Sequence, residues 1–61
     1  MSRYDDAVND PKIKIIKVNE DKDRWIEERK SGWFILQNDS RPDAQRKTLK
    51  EIEDVYKLYE T

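Results

Sequence analysis

The sequence predicts a small α+β domain, an antiparallel sheet of three strands at 12–18, 24–29 and 33–38 packed by one C-terminal helix at 49–60. Three observations carry that expectation. A β-branched run alternating Lys and Ile opens at Lys12, a stretch apolar on both faces begins at Trp33, and from Leu49 apolar residues recur every third or fourth position behind Thr48-Leu49-Lys50-Glu51. At 61 residues there is room for one domain only, and 34% apolar against 44% charged residues leaves a thin core.

The first ten residues carry Arg3 against Asp5, Asp6 and Asp10 and stop at Pro11, so 1–11 reads as a flexible N-terminal arm ahead of a single domain at 12–61. Tyr4 and Val8, four apart, are placed to dock a short turn together. In 12–18, Ile13 and Ile15 share one face of a strand while Ile16 and Val18 share the other. The second half is therefore bulged or covered on both sides.

After the polar turn 19–23 the segment 24–30 is open to two readings. As a strand it pairs with 33–38 across Lys30-Ser31-Gly32, whose glycine supplies the positive φ of a short hairpin loop, and it sets Ile26 opposite Leu36 and Glu28 opposite Phe34. As a helix at about 21–30, capped by Asn19 or Asp21 and ended by Gly32, it gives a βαβα arrangement. The hairpin is the better reading, because Trp25 and Ile26 alone give a helix almost no face to bury.

Trp33 to Gln37 has apolar residues on both sides and reads as a central strand, with a turn around Pro42 after it. A helix opening at Ser40 would put Arg46, Lys47 and Lys50 at its positive end, whereas opening at Thr48 puts Glu51, Glu53 and Asp54 there. Leu49 is thus the expected start, with 44–47 extended or a frayed first turn. The expected core is Ile13, Ile15, Ile26, Phe34, Leu36, Leu49, Ile52, Val55, Tyr56 and Tyr59.

Composition excludes much chemistry. With no cysteine or histidine, disulfides, Cys/His zinc sites, thiol or Ser-His catalysis and imidazole switches are absent, and no cofactor is expected. The carboxylate pairs Glu27 with Glu28 and Glu51 with Glu53 diverge on a strand and on a helix respectively, so the chain is read as non-enzymatic and these as solvated charges. Asp5, Asp6 and Asp10 lack the glycine and closing glutamate of a calcium loop. The longest apolar run, Trp33-Phe34-Ile35-Leu36, is far too short for a membrane span or signal peptide, and a cytoplasmic location is expected.

Two function classes remain. Trp33, Ile35 and Trp25 form an apolar surplus that one covering helix leaves over, which points to a protein-interaction or regulatory module, with a homodimer as one form of it. The competing cover for that face is the N-terminal arm folding back through Tyr4 and Val8. The other class is nucleic-acid binding by Lys12, Lys14, Lys17, Arg46, Lys47 and Lys50, since 12–19 and 41–50 each sum to +3 within a total of −1. Edge-strand lysines that merely block sheet-to-sheet association are the plain reading of the same residues. A three-stranded sheet followed by a helix opening at Thr48-Leu49-Lys50-Glu51 is similar in outline to several small DNA-binding domains, including integrase arm-binding domains, a likeness of outline that identifies no family.

Overall fold

A computed structural model describes residues 2–60 in the order α1 (Arg3–Asn9), β1 (Ile13–Val18), β2 (Arg24–Arg29), β3 (Phe34–Asn38), β4 (Pro42–Arg46) and α2 (Leu49–Glu60). The strands form one antiparallel sheet in the order β1-β2-β3-β4. The α+β class stands, with four strands in place of the expected three and a second helix ahead of them.

β2 and β3 pair as a hairpin with Ile26 opposite Leu36 and Glu28 opposite Phe34. Its loop closes through Arg29 N donating to Trp33 O at 2.9 Å and Gly32 N to Arg29 O at 3.0 Å, with Gly32 at φ +95°. The βαβα alternative, with a helix at 21–30, is not adopted, and burial explains why. In a strand Trp25 and Ile26 point to opposite faces, and each finds its own cover, at 1% and 0% exposure.

β1 is bulged, one of the two alternatives expected for its second half. The register shifts between Ile15 and Lys17, so that Ile13, Ile15 and Val18 lie on one face opposite Arg29, Glu27 and Trp25, while the extra residue Ile16 packs against the core of the other face. That core is Ile26, Leu36, Ile52 and Tyr56, closed by Ile16, Phe34, Ala44 and Val55 beneath α2. Ile13 and Ile15 are therefore not part of it; they belong to the opposite face. Leu49 and Tyr59, also expected inside, are 36% and 44% exposed, because α2 buries a narrow stripe through Ile52 and Tyr56 only.

Arg3–Asn9, within the segment expected as an arm, form the helix α1. Ser2 caps α1 by accepting a hydrogen bond from Asp5 N at 3.1 Å, Ala7 is buried, and Tyr4 meets Trp25 edge-on at 5.5 Å between ring centroids. Arg3 reaches further, donating to Asn38 O at 2.7 Å and Gln37 Oε1 at 2.8 Å. The helix thus covers the face opposite α2 over Trp25 and its neighbours, while Val8 stays 50% exposed.

β4 is the added strand. Ala44 lies opposite Leu36 and Arg46 opposite Phe34, and Pro42 opens the strand at the sheet edge, where its missing N–H is harmless. A shift between Leu36 and Gln37 frees Asp43, which accepts from Asn38 Nδ2 at 2.9 Å and faces Arg24 Nε at 3.5 Å.

Candidate functional site

Cross-strand register brings together what the sequence separates. Lys14 lies opposite Glu28, Glu28 opposite Phe34, and Phe34 opposite Arg46, so one row across the sheet joins a lysine of the first basic cluster to an arginine of the second. Three strand spacings separate them, about 14 Å. Lys12 enters β1 at the same end, Lys30 sits in the β2–β3 loop there, and Lys47 and Lys50 leave β4 and open α2 beside it. The basic side chains among these are all exposed, while Glu28 and Phe34 are half-buried.

Lys12, Lys14, Lys30 and Lys50 have no ion-pair partner among the described residues. Asp10, Glu28 and Glu51 are acids nearby; Asp10 Oδ1 accepts from Lys12 N at 2.9 Å, and Glu51 is engaged with Thr48 in the cap of α2, accepting from Oγ1 at 2.8 Å. A shallow depression of about 230 Å³ lies between Lys12, Lys14 and Lys30, with Glu28 and Arg29 in its wall. Arg29 is taken: its Nε donates to the buried carboxylate of Glu27. This end of the sheet can therefore receive an anion at several points without breaking an internal pair.

Lys17 does not join the cluster. It sits toward the other end of β1, with Nζ 3.7 Å from Glu60 Oε1 and 4.7 Å from the centre of the Tyr56 ring, where its stem covers α2. Lys30 was missing from the sequence reading, although the hairpin register expected there already places the loop residue at the same end as Lys14.

The apolar candidates part company. Trp25 is withdrawn from any docking role by α1 and Tyr4, and its indole N–H donates to Glu27 Oε1 at 2.9 Å. Trp33 and Ile35 remain half-buried. Ile35 lies on the same face between Glu27 and Gln45, and Trp33 stands at the entry to β3 with Lys47 Nζ 5.1 Å from its ring centre. An aromatic ring and the basic end of the sheet are thereby adjacent, a pairing absent from the linear sequence.

The acidic side chains do not converge. Glu27 and Glu28 face opposite sides of β2, Asp10 Oδ1 accepts from Lys12 N at 2.9 Å, and among the described residues no group of three or more Asp or Glu is placed to hold a metal ion. No helix among them is long and apolar enough to cross a membrane. No protein-family model, curated protein or solved structure matches the chain.

Proposed function

We propose that this chain is a non-enzymatic binding module that engages nucleic-acid phosphates with the basic end of its sheet. One observation carries the reading: the Lys14–Glu28–Phe34–Arg46 row gathers both basic clusters at one end, together with Lys12, Lys30, Lys47 and Lys50. Protection of sheet edges accounts for Lys14 and Arg46, which lie on the edge strands β1 and β4, but not for Lys30 in the β2–β3 loop or for Lys47 and Lys50 beyond β4. The net charge of −1 confines attraction to that end and makes affinity salt-dependent.

A gel-shift titration near 50 mM salt tests it, with binding expected at micromolar protein. Lys14→Glu with Arg46→Glu should abolish the shift, and each lost contact to a duplex should flatten the slope of log affinity against log salt by about 0.9. Absence of binding at low salt would remove the reading.

A second reading is protein contact through Trp33 and Ile35, which half-exposure on the α1 side favours. It has lost ground to the first because α1 already covers Trp25. Self-association through this face, a homodimer, is its simplest form, in a cytoplasmic setting. It predicts that Trp33→Ala lowers the sedimentation coefficient of a concentrated sample while the fold persists.

A further inference from the structure

We infer that the nucleic acid this module takes is single-stranded, held by stacking one base on Trp33; the inference rests on the phosphate-binding reading of the basic end. Trp33 is half-buried at the start of β3, beyond the part of the face that α1 occupies through Arg3 and Tyr4. Its backbone is held, because Trp33 O accepts from Arg29 N at 2.9 Å, so the ring is presented from a closed hairpin and not from a mobile loop. In a duplex the base faces are already stacked and are not offered to a side chain, whereas a single strand offers each of them.

Lys47 decides whether the platform is open. Its Nζ lies 5.1 Å from the ring centre, where it occupies one face of the indole. A cation over an exposed ring holds by a factor of roughly 2 to 5, while a base stacked on an aromatic side chain contributes about 5- to 150-fold in affinity. The base therefore displaces the ammonium group. Lys47 has a flexible four-carbon stem and, once released, swings to the phosphate beside that base. Lys50, three residues on at the start of α2, supplies a further cation for the strand as it passes, whereas Arg46 lies on the other face, opposite Phe34.

The chain holds two tryptophans, and Trp25 is 1% exposed under Tyr4, so quenching of emission by nucleobases reports on Trp33. The test titrates the full chain with thymidine and uridine oligomers of about 12 nucleotides and with a duplex of the same length at low salt. Expected are quenching by the single strands, tighter binding of them than of the duplex, and a loss of about 5- to 150-fold in single-strand affinity for Trp33→Ala with duplex affinity unchanged. Trp33→Phe should restore most of the loss. The two oligomers separate DNA from RNA as the source of the strand. Binding to duplex alone, or single-strand binding without quenching, overturns the inference and leaves the phosphate reading in place. Binding to neither overturns both. Should Trp33→Ala fail to fold, the quenching of the unaltered chain and the Trp33→Phe comparison decide the matter.

Discussion

Glu27 is 1% exposed, yet its carboxylate is not stranded, since Trp25 Nε1 and Arg29 Nε both donate to it. Removing the acceptor leaves an indole N–H buried beneath α1 without a partner. Glu27→Ala should therefore cost about 1–3 kcal/mol in urea unfolding. Arg29, whose side chain is 40% exposed, recovers water and adds little to that loss. Glu27→Gln keeps an acceptor for Trp25 and should cost less; equal losses for the two variants would show that the ion pair, and not the indole bond, is what matters. Tyr56 offers a pH probe. Burial, and then the nearby Glu60 charge, hold its hydroxyl above the ordinary tyrosine value of 10.0. The folded state thus favours the protonated phenol, so its contribution is fully present below the unfolded value and is lost as pH rises through the folded one. Alkaline unfolding curves should fall less steeply above about pH 10 for Tyr56→Phe than for the parent chain.

At the scale of elements, α1 is the informative case. Seven residues are too few for a helix to persist alone in water, so its stability must come from the sheet beneath it. Tyr4 against Trp25 and the buried Ala7 supply the contact, and Arg3 ties the first turn to β3. Tyr4→Ala should lower unfolding stability by about 1–3 kcal/mol, combining the lost ring pair with the lost burial. Removing residues 1–10 in a Trp33→Phe background should move Trp25 emission to longer wavelength, because Tyr4 of α1 packs edge-on against that indole; an unshifted spectrum would contradict the docking. The start of α2 is set more locally. Thr48 Oγ1 accepts from Glu51 N at 3.2 Å and donates to Glu51 Oε1 at 2.8 Å, so Thr48→Ala should cost about 1 kcal/mol, read from thermal unfolding.

Over the whole molecule, one small core under α2 is asked to hold four strands. Leu36, at 0% exposure, touches both the sheet and the helix side of it. Leu36→Ala should cost about 2–5 kcal/mol, comparable to the total of roughly 3–9 kcal/mol expected for a chain of this length. Circular dichroism at 25 °C should therefore find that variant substantially unfolded. The face opposite α2 bears on assembly. α1 covers the part over Trp25, so any two-fold contact is confined to Trp33, Ile35 and their surroundings. If that contact forms, the melting temperature rises with protein concentration by mass action; if the face is left to nucleic acid, a tenfold dilution leaves it unchanged.

Local signals in the sequence were enough for α2 and for the β2–β3 hairpin. The capping box at Thr48 and the stripe through Ile52 and Tyr56 define the helix Leu49–Glu60, and the single glycine at φ +95° sets the register that pairs Ile26 with Leu36. The irregularity at Ile16 was legible too, as a break in alternation that became a bulge. β4 was legible only as the extended alternative for 44–47, because an edge strand with one apolar residue is held by main-chain hydrogen bonds to β3, and those leave no periodicity to read. α1 was legible only as a short turn docking Tyr4 and Val8, because its stability is borrowed from Trp25 and β3, far along the chain. The division of the isoleucines between faces followed from strand pairing, which moved Ile13 and Ile15 opposite Arg29 and Glu27. The basic residue types and their two clusters were plain in the sequence, but their convergence belongs to the tertiary structure alone. Lys14 and Arg46 are 32 positions apart and share one cross-strand row only because three antiparallel pairings place them in it.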